Sequence, residues 1–164
     1  MKVKSAFQII SYLQYPLMLL AAFFIIKPYI NGLEFLKQNP NLFFINYNNA
    51  LIFFGIAISF STLQDTTKTQ NNFSKKIWTN PKKGRKMIFL LSLVTFSTLI
   101  LGVFLYFFSN NIKLEKLSFG VVVLGIGLIS FLKTAIEVFE NHRSDKKLMP
   151  KTAHPQITGI AEKV

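Results

Sequence analysis

The side chains able to do chemistry are few here, and most lie at the ends of apolar stretches. Asp65, Lys133 and Glu137 close two such stretches. An ionisable group at membrane depth calls for a named partner, and the expected pair is Asp65 with Lys133, as a structural ion pair. Lys133 also stands four residues before Glu137, the less favourable Lys-first order for a helical pair. Acid–base chemistry by Asp65 and Glu137 is the competing reading.

A second group consists of amides, Gln8 and Gln14 in the first apolar run and Asn46, Asn48 and Asn49 at the start of the second. An amide in hydrocarbon costs free energy unless something satisfies it. The three asparagines are therefore expected either to hydrogen-bond between helices or meet headgroups, or to line an outer vestibule. Gln8 and Gln14 give the cytoplasmic third of the first run a polar side and are candidates for an intramembrane polar site.

Signatures of catalysis and of cofactor binding are missing. The chain has no cysteine, and its histidines, His142 and His154, fall after the last apolar run, so none stands inside a span to ligate haem or a metal. Gly125-x-Gly127 sits within an apolar run and does not form a phosphate-binding loop. The expectation is a non-enzymatic protein without a cofactor.

The elements that must position these residues are set by hydropathy. Of 164 residues, 51% are hydrophobic and 18 are Phe, gathered in blocks of about 20. A block of that length as a helix matches a hydrocarbon core of about 30 Å. The sequence predicts an all-α polytopic membrane protein: a bundle of four transmembrane helices made of two hairpins, with spans over 6–26, 42–63, 87–108 and 117–136. The first run is too long for a signal-peptide core and lacks a small-x-small cleavage site, so it reads as a retained span. Pro16 within it predicts a kink.

Gly55, Ser59 and Thr62, then Thr95, Thr98 and Gly102, then Gly120, Gly127 and Ser130 recur at helical spacing and place small residues along one face of the second, third and fourth spans. Such faces let backbones approach closely. They predict helix packing, including assembly with further copies or with other membrane proteins. A conduit lined by the second span, for an ion or a small solute, is the alternative.

Orientation follows from charge. The chain carries 19 Lys and Arg against 7 Asp and Glu. Seven of the cations, Lys68, Lys75, Lys76, Lys82, Lys83, Arg85 and Lys86, lie in the polar stretch 64–86 against one acid, Asp65. A loop so charged stays in the cytoplasm. With Trp78 it is expected to rest on anionic lipid headgroups or to dock a partner. Nucleic acid is not expected, because the cations flank apolar segments. The near-neutral connections then lie outside, and both ends of the chain are cytoplasmic. The Lys, Asn, Ile and Phe bias suits a bacterial inner membrane. Residues 141–164 read as a basic, flexible tail. The resemblance of Gly55-Ile56-Ala57-Ile58 to Gly125-Ile126-Gly127-Leu128 hints at a duplicated hairpin.

Overall fold

The computed structural model describes residues 3–67 and 72–148, so Lys68 and the tail stretch 149–164 lie outside the described residues. There are seven α-helices among them and no strand: α1 (Val3–Ser11), α2 (Gln14–Ile26), α3 (Leu33–Gln38), α4 (Pro40–Ser61), α5 (Asn72–Trp78), α6 (Pro81–Phe108) and α7 (Ile112–His142). Four segments are long and apolar enough to cross a membrane: Ser5–Tyr29, Pro40–Ser61, Pro81–Phe108 and Ile112–His142. The shortest has 22 residues and extends about 33 Å at about 1.5 Å per residue.

The helix ends follow from local chemistry. Pro40 and Pro81 occupy the first helical turn, where a missing N–H removes no hydrogen bond. The Asn80 side chain accepts from the backbone N–H of Lys82 and Lys83, and that of Asn111 from Lys113. As a result α6 begins at Pro81, six residues before the expected 87, and Lys82, Lys83, Arg85 and Lys86 ride on its first turns. They are not in a loop. Pro81 and Gly84 are both helical.

The break in the first span lies over Tyr12 and Leu13, between α1 and α2. Pro16 has no N–H for the Tyr12 carbonyl and its ring crowds that carbonyl. The Tyr12 oxygen takes the Tyr15 N–H instead, at 3.2 Å, while the N–H groups of Tyr12 and Leu13 bond back three residues to Ile9 and Ile10.

The four spans pack in the order α2, α4, α7, α6. The inner helices α4 and α7 each have a neighbour on both sides, and the edge helices α2 and α6 do not pack on one another. The two hairpins, α2 with α4 and α6 with α7, therefore meet through their second members. Because α4 and α7 each follow a connection at the same end, they run parallel.

This parallel pair is the tightest contact in the molecule. Asn48 and Gly55 on α4, and Thr62 just past its end, face Gly120, Gly127 and Thr134 on α7, each pair 72 residues apart. Both series step by seven, the spacing that keeps a seam between two helices aligned. At Gly55 a Cβ would stand 2.7 Å from the Val123 oxygen and 2.8 Å from the Leu124 Cα, and at Gly127 it would strike the Gly55 carbonyl. The backbones touch because neither residue has a side chain. The register also revises the repeat: Gly55 is opposite Gly127, not Gly125.

Each inner helix carries a second face. On α4, Asn46, Ala50, Phe53 and Ala57 turn toward α2, where Ala21 is buried and Phe24 stacks on Phe53 at 5.5 Å. On α7, Gly125 lies two residues, hence about 200°, from Gly127, and its place for a Cβ is filled by the Leu99 side chain of α6. Gly102 of α6 meets Val121 and Val122 in the same way, with Thr95 buried along that line. Thr98, expected on this face, is half-exposed.

Gly55→Ala and Gly127→Ala should each lower stability by about 1–3 kcal/mol, since backbone atoms cannot make room. Thr98→Ala should melt as the parent does. Thermal unfolding of the purified variants measures both.

Candidate functional site

The polar residues picked out by the sequence separate into a seam, a far end and a basic end. Within the seam the Asn48 Oδ1 accepts from the Gly120 N–H at 2.7 Å, and the Thr134 hydroxyl bonds to the Ser130 carbonyl at 3.1 Å and approaches the Thr62 carbonyl at 3.5 Å. Ser59 donates to Gly55 O at 3.0 Å and Thr62 to Ser59 O at 2.7 Å. Asn46 is buried and returns its amide N–H to Leu42 O of its own helix. Asn49 is half-buried. Asn48 thus bonds between helices, whereas Asn46 is satisfied within its own helix.

At the far end, a groove of about 500 Å³ between α4 and α7 is lined by Asn41, Asn110, Asn111, Lys113 and Lys116. Asn46, Asn48 and Asn49 take no part in it. That groove is built mostly from residues at and beyond the ends of the spans.

The basic end holds the first turns of α6, the end of α7, α5 and the 3₁₀ turn Ser144–Leu148. Lys133 pairs with Glu137 at 3.4 Å, not with Asp65. Asp65 instead folds its carboxylate onto Thr67, accepting from its backbone N–H at 3.0 Å and its hydroxyl at 2.7 Å. Two residues separate Asp65 and Thr67, so the short local loop reaches the carboxylate before the neighbouring helix can. The backbone N–H of Asp65 is held by Gln8 Oε1 at 3.4 Å.

Arg143 organises the remaining charge. Its guanidinium meets Glu140 at 2.9 Å and Asp145 at 3.4 Å, and lies 5.9 Å from the Phe139 ring centroid. Arg85 of α6 approaches the other Asp145 oxygen at 3.8 Å, and Ser144 N donates to Thr79 O at 3.1 Å. Phe139 is buried against Gly84 of α6. Residues 141–148, expected to begin a flexible tail, thus close onto α5 and α6. The sequence reading missed Phe139, Arg143 and Asp145 because the ring and the charges come together only when α7 continues past 136. An Arg four residues after a Phe is the signal that was present.

Between α2, α4, α5 and α7 at this end is a crevice of about 450 Å³. Gln14, Thr62, Asp65, Ser74, Trp78 and Thr134 give it polar walls, and Tyr15, Met18, Phe131, Ala135 and Val138 give it an apolar side. Lys75 and Lys76 on α5 are exposed, as are Lys82, Lys83, Arg85 and Lys86 on α6. Of the residues expected to act, the structure gathers Gln14, Asp65 and Trp78 at this crevice, and leaves Lys133 and Glu137 outside its lining.

Lys133→Ala should leave the melting temperature unchanged, because an exposed helical pair adds little. Phe139→Ala should cost about 3 kcal/mol and loosen the basic end, read as loss of hydrogen-exchange protection at the start of α6.

Comparison with protein-family models, curated proteins and solved structures finds nothing that matches this chain.

Proposed function

We propose that this chain is a multi-pass protein of a bacterial inner membrane with its basic end in the cytoplasm, acting as a non-enzymatic subunit that assembles with itself or with other membrane proteins. The observation that carries the reading is the single row of spans. A row encloses no lumen, and the seam between its two central helices is closed by backbone contact at Gly55 and Gly127. A path along α4 would need Asn48 and Thr62 facing open space, whereas Asn48 holds Gly120 and the Thr62 carbonyl lies against Thr134.

The surface left for assembly differs from the one the small residues suggested. Gly55, Gly120 and Gly127 are used within the chain, so partners would meet the outer faces, on which Leu19, Phe89, Ile100 and Phe107 are exposed. Those faces suit hydrocarbon or another apolar helix.

The orientation rests on charge. Four cations ride on the first two turns of α6, and its first turn holds no acid, although a helix N-terminus disfavours positive charge. Anionic headgroups at the cytoplasmic leaflet offset that cost. They are the partner this surface fits.

Two measurements test the reading. With Lys76→Cys as the chain's one thiol, an impermeant maleimide should label inverted membrane vesicles and leave intact cells unlabelled; labelling of intact cells overturns the orientation. Mass measurement of particles extracted with their lipid should give an oligomer or a defined complex. A lone monomer overturns the subunit reading.

A further inference from the structure

We infer that the far-end groove between α4 and α7 holds the headgroup of an anionic phospholipid, with its phosphate at Lys113 and Lys116. The site needs the spans to lie in lipid. It depends neither on which end is cytoplasmic nor on assembly.

The first observation is the charge of the walls. Among the described residues the groove is lined by two cations and no acid. Lys113 and Lys116 stand three residues apart on α7, which makes them neighbours on one face of the helix. Lys113 is half-buried, and neither lysine takes part in an ion pair among the described residues. Glu115, between them in sequence, lines a different groove with Tyr106, Ser118 and Phe119, which Lys116 also borders. Two ammonium groups without a carboxylate attract a phosphate, and more strongly beside hydrocarbon than in water.

The second observation is the direction of hydrogen bonding. Asn111 uses its Oδ1 to accept the Lys113 N–H at 3.0 Å. Its amide nitrogen is left without a partner among the described residues, so it offers donors, as each ammonium does. A phosphate diester brings acceptors and a negative charge to these donors. A zwitterionic headgroup would bring its own ammonium against both lysines.

The third is depth. Asn41, Asn110 and Asn111 stand where α4 and α7 begin, and Phe44 and Ile45 lie about one turn further along α4. The groove therefore has a polar rim at the end of the spans and an apolar part within them. Tyr29 and Tyr47 bring their hydroxyls to 3.1 Å at the same end, and such rings favour the boundary between lipid and water. About 500 Å³ falls within the range of small-ligand sites. A free phosphate would leave Phe44, Ile45 and Ile112 uncovered. A phospholipid covers them with its glycerol and first acyl carbons.

A reporter at this end separates the groove from the cations at the other. In the full chain carrying Trp78→Phe and Phe44→Trp, the one tryptophan stands in the groove wall. The protein is reconstituted in bilayers of brominated and unbrominated phosphatidylglycerol and phosphatidylcholine, and quenching gives the relative affinity of the two lipids at the reporter. Phosphatidylglycerol should be preferred at least fivefold. Lys113→Gln with Lys116→Gln should bring the preference below twofold, and Lys113→Arg with Lys116→Arg should keep it. Equal quenching by the two lipids overturns the proposal. So does a fivefold preference that survives in the glutamine variant with helicity by circular dichroism unchanged. Loss of the preference on adding inorganic phosphate at constant ionic strength overturns the lipid in favour of the free ion. Quenching by neither lipid overturns the placement of the spans in a bilayer, and the site with it.

Discussion

The contact on which the rest of the molecule depends is the approach of two backbones, at Gly55 on α4 and Gly127 on α7. Between helices in hydrocarbon there is no solvent to expel, and association comes from van der Waals contact and from hydrogen bonds that the lipid cannot supply. With neither residue bearing a side chain, backbone carbonyl and Cα atoms of the two helices come into close contact. Seven residues to either side, Asn48 with Gly120 and Thr62 with Thr134 add polar contacts at the same spacing. The heptad step joins three contacts into one seam.

Once that seam is fixed, the remaining elements have few places to go. The faces of α4 and α7 away from it accept α2 and α6, which produces a row with two wide apolar sides. The row brings the ends of α2, α4 and α7 near the short helix α5, and the break ahead of Pro16 sets Gln14 at the entrance to the space between them. On the α6 side the same end is shut by Phe139 over Gly84 and by Arg143 with its acids. One end of the row is therefore both the charged end and the end with shaped polar space.

The constant separation of 72 residues across the seam bears on the history of the chain. Asn39 and Asn111, which precede α4 and α7, are also 72 apart, and each precedes a helix of the seam. The hairpins differ in their connections: 3₁₀ turn and α3 join α2 to α4, while three residues join α6 to α7. Shared register with unlike loops is what a duplicated hairpin would leave after its connections diverged.

Much of this was present in the sequence by itself. Apolar runs of spanning length fix the number of helices, because only a helix satisfies its own backbone in hydrocarbon. The Gly, Ser and Thr stripes mark close-packing faces, and the cation bias marks one end. The tertiary structure decided which face meets which. Periodicity specifies a direction around one helix axis but not the neighbour that covers it, so the seam could be read as a surface for another molecule when it closes within this one. It decided the polar partners too: Lys133 forms an ion pair with Glu137 and Asp65 accepts hydrogen bonds from Thr67, groups already close along the chain. Gln14, one amide among several in the sequence, stands apart only in three dimensions, where it is buried in the wall of a crevice between helices.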